Sequence, residues 1–157
     1  MATKDTPGVI APPPLIFLGF LIAGFALGAT WHWALRPPKF DAQASWTGWV
    51  FIGLGLVAFV LGVTNFTRAG TPVPTREETR RLVTGGIHGM SRNPIYVAMF
   101  FVYLGIGLVA NAAWILALFV PLYLIIRYGV VAREEAYLAR KFGEPYRELL
   151  QRTRRWL

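Results

Sequence analysis

Apolar residues gather into four stretches, at about residues 15–35, 46–66, 95–110 and 113–128, separated by segments rich in Arg, Glu, Gly and Pro. The first two reach the roughly 20 residues that a bilayer-crossing helix needs. The last two are shorter and are parted only by Asn111 and Ala112. One continuous helix through both would overshoot the hydrocarbon, so the pattern predicts a helical hairpin with its tip at that pair. The expected fold is all-α: a single polytopic membrane domain with about four transmembrane helices, a polar loop at 67–94 and a polar tail at 129–157. Gly24 and Gly28 give the first span a small-xxx-small packing pattern, although glycine is also common in membrane helices.

Composition supports a membrane setting. Hydrophobic residues make up 55% of the 157-residue chain and charged residues 15%, against about 25% charged in a typical soluble domain. This excludes an ordinary cytosolic enzyme, a disordered tail and a nucleic-acid module. The formal charge of +8 then marks membrane flanks rather than a polyanion partner. Arg68, Arg76, Arg80, Arg81 and Arg92 lie in the loop, and Arg127, Arg133, Arg140, Lys141, Arg147, Arg152, Arg154 and Arg155 lie in or near the tail. The opposite side carries only Arg36 and Lys39. The positive-inside rule therefore places both termini and the polar segments in the cytoplasm, at the inner membrane in a bacterial cell. Lys4 precedes a long apolar run without a small-residue cleavage site, so a retained span is expected.

The loop has more organisation than a linker. Pro72 and Pro74 favour an extended entry, and Thr75 with Glu78 forms a capping box that predicts a helix of about two turns. Gly85 and Gly86 end it, and Asn93 with Pro94 reads as the N-cap and first turn of the third span. In the tail, Glu134, Leu138, Phe142 and Tyr146 recur at helical spacing, and Gly143 separates a second short helix that restarts at Glu144-Pro145. An amphipathic helix resting on anionic headgroups is one reading of this tail. It leaves Glu134 and Glu135 at the membrane boundary unexplained.

Several chemistries are excluded. Cysteine is absent, and the two histidines, His32 and His88, fall on opposite predicted sides, so no metal site is expected. Asp5 and Asp41 are the only aspartates, which leaves no Ser-His-Asp set. The glycines at 85, 86 and 89 do not follow a strand, and no phosphate-loop lysine exists. What remains at one membrane face is a cluster of Arg80, Arg81, His88, Arg92, Asn93, Tyr96, Glu134 and Glu135. Cations, anions and a hydroxyl beside apolar spans suit a zwitterionic ligand and an apolar substrate arriving from lipid.

Ser91-Arg92-Asn93-Pro94-Ile95-Tyr96 resembles the R-[HN]-P-x-Y signature of the isoprenylcysteine carboxyl methyltransferase and phospholipid methyltransferase superfamily. Ala69-Gly70-Thr71 and Leu82-Val83-Thr84-x-Gly86 extend the resemblance upstream. Glu134-Glu135-x-x-Leu138-x-x-x-Phe142-Gly143-x-x-Tyr146 is similar to its C-terminal motif. The resemblance implies an integral-membrane methyltransferase that uses S-adenosylmethionine without a Rossmann domain. It implies cofactor contacts from Arg80, Arg81, Leu82, Val83, His88, Asn93, Pro94, Ile95, Tyr96 and Glu134, and catalytic roles for Arg92 and Glu135. The partners implied are the bilayer and a lipophilic or amphipathic acceptor.

The sequence departs from the family pattern at His88, where tyrosine is usual, at Gly89, where arginine is usual, and at Val130. Eukaryotic prenylcysteine enzymes carry an arginine at this last position that is expected to engage the substrate carboxylate. Arg127 and Arg133 are the nearby candidates for that substrate role. The acceptor chemistry expected first is O-methylation of an isoprenylcysteine-type carboxylate, with phospholipid N-methylation, small-thiol S-methylation and a non-catalytic scaffold as alternatives. The oligomeric state is left open.

Overall fold

The computed structural model describes residues 6–31, 33, 41–72 and 79–157, with side chains omitted for 41–44. The expected capping box at Thr75 and Glu78, together with Asp5, His32, Arg36, Lys39, Pro74 and Arg76, lies outside the described residues. The fold is all-α. Helix α1 is Pro13–Thr30, α2 is Asp41–Arg68, α3 is Pro94–Val109, α4 is Ala113–Phe142 and α5 is Glu144–Arg152. A 3₁₀ turn occupies Gly86–Gly89. Helices α1, α2 and α4 are each long and apolar enough to cross a membrane, and they mark a membrane protein.

Local chemistry sets the ends. Helix α2 stops at Gly70, whose φ is +65°. Its N–H donates to Thr67 and that of Thr71 to Phe66, the paired bonds of a Schellman stop. The α3–α4 turn repeats this with Asn111 at φ +50°, where Ala112 N–H donates to Gly107 and Asn111 N–H to Leu108. Asn is the side chain other than glycine that best tolerates this region. The hairpin therefore closes at the predicted pair.

Three local expectations change. Helix α4 does not stop near residue 128 but runs to Phe142, because the change from apolar to charged residues marks the membrane boundary and contains no helix breaker. The last turns, from Arg133 onward, carry the charges, whereas about 20 residues from Ala113 already suffice to cross a bilayer. Pro121 lacks an N–H for the Ala117 carbonyl, and the helix is interrupted at Leu118 and π-wound over Ile125–Val131. Second, residues 79–82 are not helical. Thr79 N–H donates to the Tyr137 hydroxyl (3.3 Å) and Arg80 N–H to Thr71 Oγ1 (2.9 Å), so side chains take the bonds that a helix would make. Third, Asn93 holds the N-cap position without a side-chain cap. Its Nδ2 donates instead to the Arg155 carbonyl at 2.9 Å.

The hairpin α3–α4 is the centre of the molecule. A core of Phe17, Tyr96, Phe100, Tyr103, Ile115, Leu122, Ile126, Val130 and Val131 lies around it. Helix α1 packs on its α4 side, where Gly24 meets Ile115, while Gly28 meets nothing within 4 Å. Only half of the predicted small-residue pair is therefore used. Helix α2 packs on α3, and its other face leaves Trp46, Trp49, Leu56 and Val60 exposed, as a lipid-facing surface requires. The N-terminal segment lies beside the far end of α4, with Ile10 N–H donating to Gly129 and Arg133 Nη1 to the Gly8 carbonyl. Both described termini are thus at one end of the bundle, with the polar residues.

Candidate functional site

At that end the N-terminus of α3, the charged turns of α4, α5 and the loop 79–89 surround two adjoining clefts of about 60 and 30 Å³. They share Phe66, His88, Arg92, Asn93 and Glu134. The larger also takes in Thr79, Arg81, Leu82, Val83 and Glu135, with Leu138, Tyr146 and Leu149 behind them, and the smaller is completed by Pro94, Ile95 and Tyr96. Of the twelve residues expected to bind cofactor or act in catalysis, only Arg80 borders neither; its side chain is exposed.

The two motifs meet directly. Tyr96 OH donates to Glu134 Oε1 at 2.7 Å, and both are buried. Burial pushes the Glu134 carboxyl up to about 8; the Tyr96 hydrogen bond opposes this and the neighbouring Glu135 adds to it. An isolated buried carboxylate is costly, so at neutral pH the acid is largely protonated until a cation arrives.

Arg92 and Glu135 form a separate network. Arg92 Nη2 donates to Glu135 Oε1 (3.1 Å), and Nη1 donates to the carbonyls of Leu150 (3.1 Å) and Thr153 (2.8 Å). Arg155 grips both oxygens of Glu135, at 3.0 and 2.7 Å. Arg92 N–H donates to the Arg154 carbonyl, and Asn93 and Ser91 side chains donate to that of Arg155. The last residues of the chain are therefore stitched to the R-N-P segment. Trp156 follows them into the core between Phe100 and Tyr123.

His88 is buried, with Phe66 edge-on at 4.7 Å between ring centroids. Burial lowers its pKa to about 4, so the imidazole is neutral at physiological pH. Two buried polar atoms of the cleft residues have no partner among the described residues, Thr79 Oγ1 and Arg92 Nε. They add hydrogen-bonding capacity for a ligand beside an acid that can meet a cation. No group of three metal-ligating side chains occurs among the described residues.

Arg127 and Arg133 border neither cleft. Arg127 Nη1 donates to the Tyr123 hydroxyl one turn earlier, and Arg133 is tied to Gly8. Of the four tail residues at helical spacing, Glu134, Leu138 and Tyr146 line the larger cleft and Phe142 does not; Gly143, at φ +57°, resets the phase between α4 and α5. Sequence reasoning missed Asn65, Thr79 and Arg155. Asn65 had a usable signal, an amide in the last turns of an otherwise apolar span.

A family model described as phospholipid methyltransferase matches residues 44–145, well over half of the chain. Over 34 residues the chain is 53% identical to an uncharacterized protein of Haemophilus influenzae. That stretch covers 22% of this chain and 54% of the relative, so the match spans about half of the relative's length. No solved structure matches significantly.

Proposed function

The chain belongs to the phospholipid methyltransferase family, and from that membership we propose that it transfers a methyl group from S-adenosylmethionine to an amphipathic acceptor reaching it from the bilayer. The observation that carries this reading is the 2.7 Å contact between Tyr96 and Glu134, which joins the two motifs at one cleft. When bound, S-adenosylmethionine supplies a methyl group activated by a sulfonium for in-line displacement.

The donor set suits that group. Glu134, once ionised, holds an ammonium by charge-assisted hydrogen bonds, while Arg92 Nε and Thr79 Oγ1 are donors for a carboxylate. His88 and Asn93 complete the polar wall, and Leu82, Val83 and Phe66 supply apolar surface. The clefts as they stand hold a few waters' worth of space. We assign Glu135 a positioning role, because it is engaged with Arg92 and Arg155, whereas Arg92 holds the chain end through Nη1 and keeps its Nε for the ligand. The family works by aligning nucleophile and methyl, a contribution worth up to roughly 7–11 kcal/mol in model systems. The basic, cleft-bearing end of the bundle is assigned to the cytoplasm.

Grooves of about 220 and 270 Å³, lined almost wholly by apolar residues, flank α3 on either side of α2, which supports an acceptor with a lipid portion. O-methylation of a carboxylate needs a cation for the acceptor, and with Arg127 and Arg133 bordering neither cleft that task falls to Arg81. The same placement favours a second reading, N-methylation of an uncharged headgroup amine, which needs no such cation. Labelled-methyl transfer in native membranes tests both. Alkali-labile label supports the ester, alkali-stable label in the lipid extract supports the amine, and label in a volatile product without alkali treatment points to a thiol. Absence of enzyme-dependent label from every fraction overturns the proposal.

A further inference from the structure

We propose that Asn65 locks His88 in the Nε2–H tautomer, so that the ring serves the cleft as a hydrogen-bond donor and never as a base. This rests on the reading of the cleft as the S-adenosylmethionine site only for the identity of the ligand that receives the bond. The lock follows from the donors and acceptors present. A backbone carbonyl can only accept, so the Asn65 group 3.0 Å from Gly85 O is the amide NH₂. The same nitrogen lies 3.3 Å from His88 Nδ1. Its second hydrogen therefore points to a ring nitrogen that must be bare, and the single proton of a neutral imidazole is left on Nε2.

The surroundings are built for this contact. Gly86 sits at φ +59°, and a Cβ there would lie 2.6 Å from Asn65 Nδ2, so the loop closes on the amide only with glycine. Phe66 fixes the ring from one side. No partner for Nε2 is present among the described residues, and the ring borders both clefts. Helix α2 contributes no charge next to the ring. The charged and titratable groups that share its clefts are Glu134 and Glu135 from α4, Arg92 and Tyr96 at the start of α3, Arg81 from the loop and Tyr146 from α5. Burial outweighs them and favours the neutral ring. An acceptor oxygen or ring nitrogen of the bound nucleotide is the chemistry that such a donor selects.

The test is ¹⁵N NMR of the histidine-labelled full chain in detergent, with His32→Gln so that one imidazole remains. The expected result is a neutral ring protonated at Nε2 from about pH 8 to pH 5, whose Nε2–H signal moves when S-adenosylmethionine is added. Asn65→Asp should reverse the tautomer, because a carboxylate demands Nδ1–H, and should weaken cofactor affinity about tenfold, as should His88→Phe. A wild-type ring protonated at Nδ1, or one titrating near the ordinary value, overturns the proposal without needing any variant at Asn65. A tautomer unchanged in folded Asn65→Asp protein also overturns it. A locked Nε2–H ring in wild-type protein that binds no S-adenosylmethionine leaves the lock standing and overturns the cofactor reading instead.

Discussion

The hydroxyl of Tyr96 donates to Glu134 Oε1 across 38 positions of sequence, and it does so because the α3–α4 hairpin returns the chain to the face it left. Glu134→Gln keeps an acceptor for that hydroxyl but removes the negative charge. The variant should fold with near wild-type stability and bind S-adenosylmethionine about 10- to 100-fold more weakly, the worth of a hydrogen bond to a charged group. Calorimetry on detergent-purified protein checks this. An unchanged Kd would remove Glu134 from the cofactor site.

Protonation of Glu134 makes binding depend on pH. Its pKa in the free protein is raised to about 8, first by burial. Relative to the unfolded chain, this favours the folded state at low pH and loses that contribution as pH rises through 8. An ammonium beside the carboxyl favours the ionised form, so binding at pH 7 should release close to one proton, and affinity should rise between pH 6 and pH 8. His88, depressed to about 4, adds no proton in that window. Binding enthalpies at pH 7 in buffers of different ionisation enthalpy should diverge for wild type and coincide for Glu134→Gln. Coincidence for both would refute the linkage.

Much of this arrangement is legible in sequence, and the reasons for the exceptions are physical. Long apolar runs report their own environment, so the spans and the Asn111 turn stand out. The end of α4 does not, since hydropathy records where lipid ends and the backbone hydrogen bonds continue past it. Asn93 carries a strong N-cap signal that is overridden by a carbonyl 62 positions away. Arg155 sits in a run, Arg152-Thr153-Arg154-Arg155, that any cytoplasmic flank could carry, and only tertiary structure separates it from its exposed neighbour Arg154. The motif residues are legible through family resemblance. Asn65 leaves a fainter mark, one amide in the last turns of an apolar helix, and its partners Gly85 and His88 are fixed only by the tertiary fold.

The stitched chain end should be a stability element. The Arg92 side chain is 11% exposed and the Glu135 side chain 15%, and Arg92 also caps the carbonyls at the end of α5. Arg92→Ala leaves Glu135 short of one cation and two carbonyls without donors, and should cost about 3 kcal/mol, the lower end for breaking a buried pair. Arg92→Lys should recover little, because one ammonium cannot reproduce the fork. Arg155→Ala should cost less, since that side chain is 37% exposed, and exposed Arg154→Ala should lie within about 0.5 kcal/mol of wild type. Unfolding in detergent ranks the four; equal losses at Arg92 and Arg154 would refute the network.

Helix α2 holds the site from the lipid side through glycines spaced seven apart. A Cβ at Gly48 would lie 2.8 Å from Gly105 O, one at Gly55 2.7 Å from Ala98 O, and one at Gly62 2.7 Å from Ile95 Cγ1. In lipid, where helices gain little hydrophobic energy from each other, such close backbone approach supplies the dispersion contacts that hold them together. Gly53 lies on the open face and meets nothing within 4 Å. Gly55→Val should therefore cost about 1–3 kcal/mol by overpacking, whereas Gly53→Val should be close to neutral. Asn65 is on the same helix, one turn beyond Gly62, so forcing α2 from α3 also pulls the amide from Gly85 and His88. Gly62→Leu should thus weaken S-adenosylmethionine binding in protein that is still folded, a loss that Gly53→Leu should not share. If both faces respond alike, α2 does not seat the site through its glycines.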